Sequence, residues 1–263
     1  MNKQFYLFTF WVLCGNSVFA QTNQGSRLTA MGCNGAAIFD VWGVTANPAA
    51  ISHVISPTLQ LSHQEHFISR MIRNDGLALV IPVNRQRFGL SVQRFGISEY
   101  QIIKAGVVAT RQFGPKLSLG IRANYHQFAI ENYGSTVGIS MDFGTIYRLS
   151  TDLTFGFYLN NFSQQSYHPK IINATMPSKA YFGITYRTSS KLLLASTVSK
   201  GELALGADYQ CNNMLSLRAG VSSHPFIHYF GIGLNKSKFL ADFTFTKRPS
   251  FGFSPQLTIG YVF

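Results

Sequence analysis

From about residue 58 onward, apolar and polar positions alternate with a period of two, the spacing that puts successive side chains on opposite faces of a strand. In the last segment Leu257, Ile259, Tyr261 and Phe263 alternate with Gln256, Thr258, Gly260 and Val262. Before it, Phe239, Ala241, Phe243 and Phe245 oppose Asp242, Thr244 and Thr246. The same rule sets Leu153, Phe155, Phe157 and Leu159 against Thr154, Gly156, Tyr158 and Asn160, and Leu117, Leu119, Ile121 and Ala123 against Ser118, Gly120, Arg122 and Asn124. Arg122, Asp142, Arg187, Asp208, Arg218 and Asp242 all fall on the polar face. An ionised side chain facing lipid at mid-bilayer costs about 2–4 kcal/mol, so these residues assign the polar face to the interior and the apolar face to lipid.

Turn chemistry separates the alternating segments. Near-identical junctions recur at Tyr147-Arg148-Leu149-Ser150-Thr151-Asp152-Leu153, Tyr186-Arg187-Thr188-Ser189-Ser190-Lys191-Leu192 and Tyr209-Gln210-Cys211-Asn212-Asn213-Met214-Leu215, with variants at 113–117 and 235–239. Between these tight turns, residues 64–75, 163–177 and 247–254 read as longer loops. The pattern predicts about fourteen strands, an even number as in bacterial barrels. They fall near 58–64, 76–83, 86–97, 100–112, 116–131, 135–148, 152–163, 178–188, 191–199, 203–211, 214–223, 226–235, 238–247 and 255–263. The fold class expected is all-β, a transmembrane antiparallel β-barrel with tight turns and both chain ends on the periplasmic side. Tyr261 and Phe263 at the C-terminus form the expected signal for the barrel-assembly machinery. Residues 76–83 are apolar on both faces, so their inner row should pack against something inside the barrel.

Composition fits this reading. Charged residues make up 12% of the chain against 46% hydrophobic, a poor match to a soluble surface. Polar residues and glycines nevertheless interrupt every apolar run short of the roughly 20 residues a membrane helix needs. A soluble β-sandwich is the alternative. Residues 1–20 stand apart as a signal peptide: Lys3, an apolar run from Phe5 to Leu13, and Val18-Phe19-Ala20 before Gln21. Cys14 lacks the small residue that a lipidation site needs just before it. Of the remaining cysteines, Cys33 and Cys211 are too far apart in sequence to be read as a disulfide. The formal charge of +12, one less without Lys3, suits contact with outer-membrane lipid and lipopolysaccharide phosphates. Nucleic acid is excluded as a partner, because the basic residues form no clustered helix or aromatic module.

Residues 21–57 break the strand pattern. A small-residue stretch, Gly25-Ser26-Arg27-Leu28-Thr29-Ala30-Met31-Gly32-Cys33-Asn34-Gly35-Ala36-Ala37, leads to Asp40-Val41-Trp42 and Ala46-Asn47-Pro48-Ala49. No strand precedes it and no Gly-Lys-Ser/Thr follows, which argues against a phosphate-binding loop. Arg27, Ala30-Met31-Gly32, Gly35-Ala36, Asp40 and Asn47-Pro48-Ala49 resemble the N-terminal hatch of the FadL-like outer-membrane transporter superfamily, which includes the PorV/PorQ-type barrels of type IX secretion. Cys33-Asn34 departs from the pattern, where small residues are usual. The resemblance implies a fourteen-stranded barrel plugged by residues 21–57, and in FadL-type members the passage of hydrophobic compounds through the lumen and out of a gap in the wall. Arg27, Met31, Gly32, Gly35, Asp40, Asn47, Pro48 and Ala49 are the hatch residues it indicates. Residues 58–263 are then the barrel.

No catalytic constellation is present: neither Gly-x-Ser-x-Gly nor His-Glu-x-x-His occurs. The chain reads as a non-enzyme without cofactor. His63, Glu65 and His66 form one compact cluster with ligand chemistry, but solvated loop residues are the commoner case, and no metal is expected. The six lumenal charges either select solutes or pair with one another and with the hatch, Arg27 and Asp40 being the natural partners. Asn47 and Pro48 are turn formers. Two functions follow: passive transport of small hydrophobic compounds across the outer membrane of a bacterial cell, or a PorV/PorQ-like part in binding and shuttling secreted proteins at the cell surface, for which 163–177 and 247–254 are contact candidates.

Overall fold

The computed structural model describes residues 23–67, 69–165, 176–249 and 252–263. The expected signal peptide and the middle of loop 163–177 lie outside the described residues. A six-residue helix α1 (Gly25–Ala30) and two 3-10 turns, Val41–Val44 and Pro48–His53, come first. Fourteen strands follow: β1 (Thr58–His66), β2 (Ser69–Val83), β3 (Gln86–Gly96), β4 (Tyr100–Phe113), β5 (Leu117–Ile130), β6 (Gly134–Arg148), β7 (Leu153–Asn160), β8 (Lys179–Arg187), β9 (Leu192–Ser199), β10 (Glu202–Gln210), β11 (Leu215–Ser222), β12 (Ile227–Lys236), β13 (Phe239–Arg248) and β14 (Gly252–Val262). Each pairs antiparallel with its neighbour in sequence, and β14 returns to β1 with Leu61 opposite Ile259. Closure leaves no unpaired edge to template aggregation.

The two faces of the wall sort by polarity in the sense opposite to a soluble protein. Outward side chains such as Ile139, Phe182 and Phe230 are 64%, 60% and 57% exposed, whereas inward Thr244, Ser254 and Gln256 are at most 1% exposed. Soluble monomers rarely expose apolar patches beyond a few hundred Å². Here the apolar face runs around the whole cylinder, so the wall is built to stand in a bilayer.

Two expected loops are corrected. Residues 64–75 are mostly strand: β1 continues to His66, a bulge falls at Glu65/His66, and β2 begins at Ser69. Residues 247–254 also belong mainly to β13 and β14, leaving only 249–251 between them. In both places polar residues occupy the outward as well as the inward row, Arg73 and Asp75 on β2 and Lys247 on β13 among them, and this erases the period-two signal. Among the described residues, the widest separation between consecutive strands is 161–178, between β7 and β8.

Residues 23–52 run inside the cylinder, and 53–57 lead from it to β1 with Ile55 exposed. Trp42 lies against Gly76 of β2, Val44 against Gly89 of β3, Pro48 and Ala49 against Gly120 of β5, Asn47 against Gly144 of β6, Ala36 against Gly156 of β7 and Gly183 of β8, Met31 against Gly206 of β10, Gly32 against Gly220 of β11 and Ala30 against Gly231 of β12. Ser26 completes the circuit, its N–H donating to Thr258 of β14 at 2.9 Å and its carbonyl accepting from Thr244 of β13 at 2.7 Å. So short a segment can touch strands all around a closed barrel only from within. The inner row of 76–83 takes part, with Ala78 and Val80 fully buried beside Leu28, Trp42, Val44 and Ile51 in one apolar cluster.

Candidate functional site

The contact between the N-terminal segment and the wall is made possible by inward-facing strand glycines. A methyl group at Gly156 would overlap the Ala36 carbonyl, one at Gly206 the Met31 carbonyl, one at Gly220 the Gly32 amide and one at Gly144 the Asn47 side chain. Glycine inside a strand weakens it and marks close approach by another backbone. The glycines were visible in the sequence as small members of the polar row; their common purpose was the signal missed.

Polar groups complete the fit. After α1 the chain reverses at Gly32 (φ 79°) and Cys33 (φ 63°), with the Cys33 N–H donating to the Leu28 carbonyl at 2.9 Å and the Asn34 amide donating to the Met31 carbonyl at 2.5 Å. Cys33 therefore holds a left-handed conformation that a small residue accepts more readily. Gly35 lies against Ala46, drawing the two arms of the segment together. Asp40 accepts from the Trp42 N–H at 2.8 Å and so starts the first 3-10 turn, and Asn47 starts the second by accepting from the Ala49 N–H at 3.0 Å, with Pro48 in the first position. The Asn47 amide also donates to the Ala36 carbonyl at 2.6 Å and, on the wall, to the Thr145 carbonyl at 3.1 Å.

Five of the six inward charges pair. Arg27 contacts Asp40 at 2.9 Å and Asp208 at 3.2 Å; Arg218 contacts the same Asp208 at 3.2 Å and also Asp242. The result is a chain, Asp40–Arg27–Asp208–Arg218–Asp242, that ties the segment to β10, β11 and β13. On the opposite wall Arg122 donates to Asp142 at 2.7 Å and to the carbonyls of Val44 and Ala46 at 2.8 and 3.1 Å. Arg187 belongs to the inner row but stands exposed at the tight-turn rim, and among the described residues no carboxylate pairs with it.

His63, Glu65 and His66 do not form a cluster. His63 points outward, 2.6 Å from Asp75 and 3.7 Å from Glu65, whereas His66 points inward against Phe95 with ring centroids 5.6 Å apart. Residues three apart in a strand face opposite ways. Among the described residues no group of three metal-type side chains is present. Cys33 and Cys211 are both free thiols. Tyr261 packs edge-on against Phe263 at 5.0 Å, and the Phe263 N–H donates to the Pro57 carbonyl at 2.9 Å.

Two cavities flank the segment. One, of about 450 Å³, opens at the tight-turn rim and is lined by the Arg27–Asp208–Arg218 chain together with Arg187 and Lys191. The other, of about 250 Å³, lies toward the far rim, between Cys33 and Thr29 of the segment and Tyr158, Tyr181, Tyr229 and Arg248 of the wall. The tyrosines, Lys179 and Arg248 were not singled out from the sequence, since each is one polar residue among many on its strand.

The fold is similar to that of solved hydrocarbon channels. The CymD monoaromatic hydrocarbon channel matches with a TM-score of 0.72 at 14% identity, over 91% of this chain and 97% of that one. The toluene transporter TodX of Pseudomonas putida matches at 0.71 and 14%, over 94% and 98% of the respective chains. A FadL homologue of Pseudomonas aeruginosa matches at 0.62 and 13%, over 92% and 98%. At such identities the likeness is one of fold, and it is the fold that the hatch motif implied. No protein-family model matches the sequence, and no curated protein does.

Proposed function

We propose that this chain is an outer-membrane channel for passive entry of small hydrophobic compounds, with residues 23–57 as the plug that moves to open the route. The observation that carries the reading is the arrangement of the lumen: a segment seated against inward glycines, fastened to one wall by the Arg27–Asp208 ion pair and to the other by Arg122 hydrogen bonds to the Val44 and Ala46 carbonyls, with a cavity on each side. Such a barrier closes the barrel at rest, yet its fastenings are side chains rather than covalent links, so a modest shift joins the two cavities. Structures of this fold named as hydrocarbon channels support the substrate class. They lend no support to docking of secreted proteins. The apolar wall would meet outer-membrane lipid, the basic rims lipopolysaccharide, and the terminal Tyr261 and Phe263 the assembly machinery.

The test is uptake of labelled toluene by cells lacking the protein, by complemented cells, and by cells carrying the Arg27→Gln variant. Faster uptake with complementation is the expected result. Equal uptake in deleted and complemented cells, with no toluene bound by the purified protein, would overturn the reading.

A further inference from the structure

The cavity toward the far rim is chemically unlike a plain hydrocarbon site. Tyr158 and Tyr181 stack with ring centroids 4.3 Å apart and planes within 4°, and Tyr229 adds a third ring. Tyr158 and Tyr229 are 2% and 5% exposed. Lys179 and Glu202 pair at 3.3 Å, and Ser199 donates to the same carboxylate at 3.3 Å, which satisfies both charges. Arg248 is different. No carboxylate pairs with it among the described residues, and its Nη1 is buried without a hydrogen-bond partner. Its guanidinium lies over the Phe67 ring, 5.8 Å from the centroid. Two further lining atoms share that condition, Thr246 Oγ1 and Gln24 Oε1. Thr246 is 1% exposed.

Buried polar groups in native proteins are nearly always hydrogen-bonded, and a partly buried guanidinium with an unpartnered N–H favours an anion. The guanidinium fork matches a carboxylate by two parallel hydrogen bonds. Volume limits the rest of the ligand: about 250 Å³ is below the usual range of drug-sized pockets, roughly 300–1,000 Å³, while benzene enters a cavity of roughly 150 Å³. A six-membered ring with one small substituent fits. The tyrosine rings supply the offset or edge-on contacts that an aromatic ring prefers.

We propose that this cavity is a binding site for a single-ring aromatic carboxylate, its carboxylate held by Arg248 with Thr246 and its ring lodged among Tyr158, Tyr181 and Tyr229. The inference deepens the channel reading and rests on it: the site would select the solute before the plug moves.

Cys33 lines the same cavity and reports on it. In purified protein carrying Cys211→Ser, benzoate is expected to slow alkylation of Cys33 and to bind by titration calorimetry. Arg248→Gln should weaken benzoate binding at least tenfold, and Arg248→Lys should fall between, since it keeps the charge and loses the fork. Heat-modifiable migration on gels shows that each variant barrel is folded. The proposal is overturned if benzoate neither binds nor protects Cys33, if folded Arg248→Gln binds benzoate as the parent does, or if inorganic phosphate binds as tightly as benzoate. Toluene uptake without benzoate binding sinks this site alone; failure of both sinks the channel reading with it.

Discussion

Arg122 on β5 sits directly across the ladder from Asp142 on β6, and both side chains are almost fully buried, at 0% and 2% exposure. The pair does more than neutralise itself. Arg122 also holds the Val44 and Ala46 carbonyls of the N-terminal segment, while Asp142 accepts from the Asn124 amide at 2.7 Å and the Asn161 N–H at 2.6 Å. One ion pair thus joins wall, segment and the start of the long 161–178 connection.

Removing one partner of a buried pair leaves an uncompensated charge, which costs about 3–5 kcal/mol. Arg122→Met should therefore destabilise the barrel by that order, read from thermal loss of its compact gel migration. The double variant Arg122→Met, Asp142→Leu should be less destabilised than the single one, since no charge is left buried. A double variant as unstable as the two single losses added together would show that the pair is no coupled unit.

The Arg27 contacts with Asp40 and Asp208 tether the segment at the other wall. In Arg27→Gln, Asp208 keeps Arg218, so the barrel should remain folded while the segment loosens. Planar-bilayer conductance is expected to rise above that of the parent channel; unchanged conductance would mean that this link does not hold the lumen shut.

Close approach at Gly206 makes another expectation. Gly206→Leu puts a side chain where the Met31 backbone lies, whereas Ala207→Leu points outward among exposed Leu203 and Leu205. The first should expose the N-terminal segment to trypsin at Arg27 with the barrel intact. The second should leave the digestion pattern alone.

Reversing the polarity of the outer face tests the membrane assignment. Ile232 in mid-β12 is 47% exposed. Ile232→Arg should cost about 2–4 kcal/mol in folding into a bilayer if that face meets lipid. Inward Thr244→Ser, on the adjacent strand, should cost little. Equal folding of Ile232→Arg and parent protein into vesicles would refute a lipid-facing wall.

Cys33 carries a pH signature. Partial desolvation in the lumen pushes its thiol up, although the residue stays open to the cavity, and the nearby Arg248 guanidinium pulls it back. Alkylation proceeds through the thiolate, so its rate should climb with pH along a curve whose midpoint lies above the roughly 8.5 of a free cysteine. Loss of the Arg248 charge removes the downward pull, and the midpoint in Arg248→Gln should move higher still. A midpoint that fell in the variant would place Arg248 elsewhere.

The strand calendar of the chain was legible almost residue by residue. Side chains alternate because a pleated backbone alternates them, and a charge cannot face lipid cheaply; these local facts located most strand ends to within a few residues and put Arg122, Asp142, Asp208, Arg218 and Asp242 inside. The reading failed where polar residues fill both faces, as at Arg73 and Asp75, because periodicity is then invisible. It failed at His63 and His66 because closeness in sequence was read as closeness in space.

The sequence by itself determined the barrel: period two, turn residues and the sign of each face follow from neighbours along one strand. Only the tertiary structure decided what lies inside. That Gly156 admits the Ala36 carbonyl, that Arg27 reaches Asp208, and that Tyr158, Tyr181 and Arg248 share one cavity with Cys33 depend on closing fourteen strands around a segment far away in the chain. No local pattern encodes such distances, because they arise from the circumference of the closed sheet.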